Sequence, residues 1–252
     1  MKKKKTKKIL AALAVIVILP AILWYAAVPD SSIGYLLASH PVGPGLVIKL
    51  TDFHKGLFFS FGAGSVSVES GGKKAVAFND VRGHINPLDL LLFRIGVSFN
   101  ARLAGGAARG FFNYGFFSGK KKLKVRLDGV RIGKLPPVKK TVSGTLDARL
   151  VFSGDKGNLL FTMGNLGHFP YGFKSANGVA GITRTEISIG SASFESPGTY
   201  AKVKGSANLE NGSYNLRLEV TKQGAPDPLL APYRQSPGYY VIPLSGNLRQ
   251  LL

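Results

Sequence analysis

Twenty consecutive residues, Ile9 to Val28, carry no charge, and a run of that length leaves a chain few options. As a helix rising about 1.5 Å per residue it spans about 30 Å, the hydrocarbon thickness of a bilayer. Lys2, Lys3, Lys4, Lys5, Lys7 and Lys8 precede it and place the N-terminus in the cytoplasm, while Trp24 and Tyr25 suit the opposite interface. The expectation is a basic tail over 1–8, one transmembrane helix over 9–28, and a domain over 29–252 on the far side. A cleaved signal peptide fits less well, because its apolar region is only about 7–15 residues long. The exit Trp24-Tyr25-Ala26-Ala27-Val28 also lacks a small-x-small site. Pro20 kinks such a helix and is tolerated, since neighbouring groups in a membrane satisfy the freed carbonyl.

Beyond residue 55 the pattern changes to alternation with period two, the signature of strands with one buried and one exposed face. Leu123, Val125 and Leu127 fall on one face while Lys122, Lys124 and Arg126 fall on the other. Leu146, Ala148, Leu150 and Phe152 repeat the arrangement against Thr145, Asp147 and Arg149. The fold class expected is all-β: a membrane-anchored, curved antiparallel sheet or meander with a few short helices. Those helices are placed at Ser31 to Ala38, at Pro87 to Phe93 with Asn86 as cap, and at Pro228 to Tyr233. Leu135-Pro136-Pro137-Val138 cannot be a central strand, since proline donates no ladder hydrogen bond, so a link between two lobes is placed near 134–140.

Two hairpins can be written with a register. Asn211-Gly212 accepts the positive φ of a two-residue type I′ turn, which sets Leu209 against Tyr214, Val203 against Val220, and Lys204 against Glu219. A four-residue loop, Gly154 to Gly157, sets Phe152 against Leu159 and Leu150 against Phe161. Glycine recurs in Val142-Ser143-Gly144-Thr145-Leu146, Val203-Lys204-Gly205-Ser206-Ala207 and Leu244-Ser245-Gly246-Asn247-Leu248. In a strand it marks a bend, a bulge or a close backbone approach.

Apolar residues are 45% of the chain and charged residues 18%, which suits a folded domain better than a disordered one. The formal charge is +20, and six of the 33 Lys and Arg belong to the first eight residues, leaving 27 against 13 Asp and Glu. A field of that sign attracts nucleic acid, anionic lipid or acidic protein alike. The densest stretch, Lys120 to Lys140, has nine Lys or Arg against Asp128 alone. It lacks the interleaved aromatics of single-strand binders, so nucleic acid is not expected as a partner. Lys120, Lys122, Lys124 and Arg126 are the candidate face for an anionic partner. The neighbouring run Phe111-Phe112-Asn113-Tyr114-Gly115-Phe116-Phe117 suits a core strand or a lipid-facing one.

Catalytic chemistry has little foothold. With no cysteine there are no thiolate metal sites, disulfides or cysteine nucleophiles. His40, His54, His84 and His168 are scattered, without the i,i+4 spacing or acidic partners of a metal site. Gly43-Pro44-Gly45 and Gly105-Gly106 are too short to cradle a phosphate, and no Gly-x-Ser-x-Gly elbow occurs. No catalytic residue, metal or cofactor is expected.

The order of features resembles the type II secretion system protein N (GspN) family. The resemblance is carried by the basic N-terminus and apolar run, then Phe78-Asn79-Asp80-Val81-Arg82, Asn86-Pro87-Leu88-Asp89-Leu90-Leu91 and Ala104-Gly105-Gly106-Ala107-Ala108-Arg109-Gly110. Val142-Ser143-Gly144-Thr145-Leu146-Asp147 and Pro243-Leu244-Ser245-Gly246-Asn247-Leu248 complete it. Similar patterns occur in AsmA-like envelope proteins. The resemblance implies a non-enzymatic accessory of the secretion machinery in the bacterial inner membrane, its main domain periplasmic, its partners other secretion-system subunits. The AsmA-like likeness implies instead a β-trough that binds or transfers phospholipid, with anionic lipid as a partner.

Overall fold

The computed structural model describes residues 24, 29–31, 46–70, 73–136, 142–167, 172–224 and 228–247. The expected membrane helix, apart from Trp24, lies outside the described residues, as do the helix expected beyond Ser31, residues 137–140 of the link, His40 and His168. Among the described residues no helix is long and apolar enough to cross a membrane. Contacts divide the chain into two compact units, the first Met1–Leu103 with Arg109–Gly119, the second Ala104–Ala108 with Lys120–Leu252.

In the first unit, β1 (Leu46–Thr51), β3 (Ser60–Ser70), β4 (Lys73–Ile85) and β5 (Arg94–Leu103) lie in that order, with β2 (His54–Lys55) also paired to β3. Next in the chain comes β6 (Gly106–Gly115), whose residues from Arg109 onward belong to this unit. In the second unit, β7 (Lys121–Arg131), β8 (Ser143–Ser153), β9 (Lys156–Gly167), β10 (Ser175–Thr183), β11 (Glu186–Ser196), β12 (Thr199–Asn208) and β13 (Ser213–Lys222) follow one another. Then β15 (Tyr239–Asn247) pairs with β13 and carries the short β14 (Arg234–Ser236) outside it. The pairs are antiparallel, so the all-β expectation holds, as an antiparallel meander in which most strands neighbour the next in sequence.

The alternation read from the sequence decides which face is covered. On β7, Leu123, Val125 and Leu127 are half-buried while Lys122, Lys124 and Arg126 are exposed. In the second unit two groups of buried side chains include residues from connecting segments. Leu230, from the 3-10 helix Pro228–Tyr233, packs with Phe173, Ala201, Val220, Tyr240 and Ile242. Ile132, from the 3-10 turn Ile132–Lys134, packs with Leu166 and Ala176. Each anchor supplies apolar area worth roughly 25 cal/mol per Å² removed from water.

The helix expected at Pro87 forms over Pro87–Leu91, two residues shorter than the sequence suggests. Asn86 Oδ1 accepts from Leu88 N at 3.1 Å and Pro87 opens the first turn, where its missing N–H costs nothing. Phe93 then enters the left-handed region at φ 52°, which stops the helix and starts β5.

Both hairpin registers differ from expectation by two residues. At the second, Ala207 pairs with Tyr214, Val203 with Leu218 and Ala201 with Val220. The cause is Asn208, whose Oδ1 accepts from Glu210 N (2.9 Å) and Asn211 N (3.1 Å), while its carbonyl accepts from Gly212 N (3.0 Å). This wider turn keeps φ positive at Gly212 alone and displaces the two-residue turn expected at Asn211-Gly212. Lys202, not Lys204, therefore stands opposite Glu219, and Lys204 faces Arg217. Arg217 instead pairs along its own strand with Glu219 at 3.2 Å. At the first hairpin the turn is tighter than expected: Ser153 pairs with Lys156 and Phe152 with Gly157. Positive φ at Gly154 (63°) and not at Asp155 is the pattern of a two-residue type II′ turn.

Two of the three recurring strand glycines occupy backbone that other residues avoid. Gly144 has φ +141° at a register shift between Ser143 and Thr145. Gly205 has φ +136°, and a β-carbon there would lie 2.2 Å from Asn215 O. Gly246 differs, lying under the ring of Tyr214, its partner across the ladder.

Candidate functional site

The cationic strip follows from strand geometry. Side chains at i, i+2 and i+4 share a face, and Lys122, Lys124 and Arg126 occupy the open face of β7. Lys120 is exposed just before the strand begins. Antiparallel pairing with β8 sets Lys122 opposite Ser153, Lys124 opposite Val151 and Arg126 opposite Arg149. Arg149 thus joins the strip. Its own alternation was visible in the sequence, but its position beside Arg126 depends on a register spanning the connection between β7 and β8.

Two guanidinium groups in directly opposed positions repel, and the structure relieves this locally. Asp128 Oδ1 accepts from Arg126 Nε at 2.7 Å. That hydrogen bond, then the attraction of the same carboxylate, pushes the Arg126 pKa above its ordinary value. Asp147 is engaged by the backbone, accepting from Gly129 N at 2.7 Å within the bulge between Leu127 and Val130. Among the described residues neither Lys122 nor Lys124 is paired with a carboxylate. The strip continues into an apolar step, for Arg149 pairs with Leu160 and Leu160 with Val179, both close to half exposed at 48% and 46%.

The opposite face of the same strands is apolar. Leu123 pairs with Phe152, Val125 with Leu150, Leu127 with Ala148, and Leu150 with Leu159. These side chains are half-buried, with water still reaching them. Nearer the C-terminus a cavity of about 160 Å³ opens among Phe173, Ala201, Leu218, Val220, Leu230 and Ile242. That volume is below the 300–1,000 Å³ usual for small-molecule sites, and its lining offers room for a few methylene groups.

The Phe-rich run divides. Phe111, Phe112 and Tyr114 are half-buried on β6, whereas Phe116 and Phe117 stand exposed beyond its end. Among the described residues no three His, Cys, Asp or Glu side chains converge as a metal site would need. His54 makes a local contact, Nδ1 to Asp52 O at 3.2 Å. No protein-family model, curated protein or solved structure matches the chain.

Proposed function

We propose that this chain is a non-enzymatic inner-membrane accessory component of the type II secretion machinery that docks acidic periplasmic domains of partner subunits. The observation that carries this reading is the strip itself: Lys122, Lys124, Arg126 and Arg149 in adjacent register positions, bordered by Leu160 and Val179. Exposed charge beside apolar area is the composition of a reversible protein interface, where charge sets approach and orientation and apolar contact sets residence. In this reading the run Ile9 to Val28 is the membrane anchor, the N-terminus is cytoplasmic and the β units are periplasmic. A reporter active only outside the cytoplasm, fused after Leu252, is expected to be active. Full-length chain in detergent is expected to retain acidic periplasmic domains of the machinery, and K122E/K124E/R126E to lose them. Retention undiminished in that triple variant would remove the proposal.

A second reading has its own observation. The apolar face of β7 to β9 is only half-covered, and an open apolar surface is what acyl chains require. In that reading the chain is an AsmA-like envelope protein, binding or transferring phospholipid along a β-trough.

A further inference from the structure

Three connections of the first unit end in pairs of large apolar residues: Leu57-Phe58, Leu92-Phe93 and Phe116-Phe117. Each of the six side chains is between 51% and 84% exposed. All three pairs stand at one end of the strands. Ile85 N, at the end of β4, donates to Phe59 O at 3.0 Å, just before β3 begins. Phe116 N, just past β6, donates to Phe93 O at 3.0 Å, where β5 starts. The Phe93 and Phe117 rings meet edge to face, with centroids 4.9 Å apart. Leu88, on the helix between β4 and β5, adds another exposed side chain at the same end.

The backbone reinforces the oddity. Phe58, Phe59 and Phe93 adopt φ of 52°, 63° and 52°, the left-handed region that bulky side chains rarely enter. Turn tips normally use glycine or asparagine there. Phe59 is buried, but Phe58 and Phe93 hold this conformation at exposed positions, as strain kept for a use would.

Trp24 stands at the same end of the unit. Its ring lies 6.2 Å from that of Phe59, its carbonyl accepts from Lys55 Nζ at 2.9 Å, and Lys55 also meets Asp30 at 3.7 Å. Trp24, the fifth residue from the close of the charge-free run at Val28, therefore lies at this end of the unit. Arg94, exposed beside Phe93, supplies positive charge at the same level. Aromatic and apolar side chains with a basic flank, next to the exit of a membrane-spanning run, match the boundary between headgroups and acyl chains.

We propose that these three connections dip into the interfacial layer of the bilayer that holds Ile9 to Val28, so that the first unit stands on the membrane by its loop end. This rests on the anchor reading above and is tested so that the two can fail separately. Full-length chain carrying Trp24→Phe and Phe117→Trp, its single indole now at position 117, is reconstituted into phosphatidylethanolamine and phosphatidylglycerol vesicles. The acyl chains are brominated near their headgroup end, and flotation is measured on the same sample. The protein is expected to float, and insertion by about 5–10 Å should cut the indole emission by about half against unbrominated vesicles. Leu57→Trp in place of Phe117→Trp should respond alike, and Val47→Trp in its place, exposed at the far end of the same strands, should not respond. Floating protein with unquenched indoles at 117 and 57 overturns the inference while leaving the anchor in place, and blue-shifted but unquenched emission means a protein covers these loops instead. A chain that does not float removes the anchor and the inference together.

Discussion

The ring of Phe161 on β9 lies across Gly178, its register partner on β10, so closely that a β-carbon on the glycine would come within 2.6 Å of Cζ. The relationship recurs. Phe152 covers Gly157, Phe61 covers Gly83 and Tyr214 covers Gly246, each pair directly opposed on neighbouring strands. An aromatic ring folded over a glycine shields backbone that has no side chain of its own and pins the register, because a slip moves the ring onto a neighbour with no room for it.

Gly178→Ala should therefore destabilise the second unit by about 1–3 kcal/mol, the usual cost of forcing extra volume into a packed site. Its β-carbon would also stand 3.0 Å from Ala192 Cβ. Gly181→Ala on the same strand meets nothing closer than Ser188 O at 3.9 Å and should be neutral or slightly stabilising. Thermal unfolding of the two variants compares them, and equal midpoints would show that the ring does not hold this position. Phe161→Leu added to Gly178→Ala should recover part of the loss.

Asn208→Ala should cost about 1 kcal/mol, since it leaves Glu210 N and Asn211 N without the acceptor that shapes the turn. Asn208→Asp retains that acceptor and should be close to neutral. Urea midpoints with unchanged slope would report this as a stability effect. An unaffected Asn208→Ala variant would mean that Gly212 alone sets the turn.

The two registers mark where sequence reasoning stops. Period-two alternation placed Leu123, Val125 and Leu127 correctly on the covered face and Lys122, Lys124 and Arg126 on the open one, because burial selects that parity. Parity survives a shift of two residues, so the hydrophobic pattern cannot tell Ala207 opposite Tyr214 from Ala207 opposite Leu216. Turn chemistry decides, and here it lay in the Asn208 side chain and in Gly154. The site shows the same limit. Three cations of the strip were legible from one strand, but Arg149 required the register between strands joined through residues 132–142. The apolar tips Leu57-Phe58 and Leu92-Phe93 carried no periodic signal, and only the fold brings them beside Phe116 and Phe117.

Charge on the strip should act in opposite directions at its two lysines and at Asp128. Replacing Lys122 and Lys124 with Glu should weaken binding of an acidic domain, whereas Asp128→Asn removes the carboxylate that neutralises Arg126 and should strengthen it. Arginine stays charged from neutral to mildly alkaline pH with or without Asp128, which only raises the Arg126 pKa further, so the Asp128→Asn gain should be the same across that range. Raising salt should erode both effects, since the groups are exposed. Binding measured by calorimetry across these variants checks the signs, and a weaker Asp128→Asn variant would contradict an electrostatic role for the strip.

The two functional readings make different demands on the apolar face. Leu123, Val125, Leu150 and Phe152 are half-buried, so an acyl chain laid along them would remove further apolar area from water at roughly 25 cal/mol per Å². A docking module gains nothing from such an occupant. Full-length chain extracted gently from cells and examined by native mass spectrometry should, if docking is its role, carry no stoichiometric phospholipid, and a knockout should lose protein secretion with an intact envelope. One or more lipids per chain would favour the trough. In that case Val125→Asp, which places a charge on the apolar face and leaves the strip untouched, should release the lipid, whereas K122E/K124E/R126E should retain it.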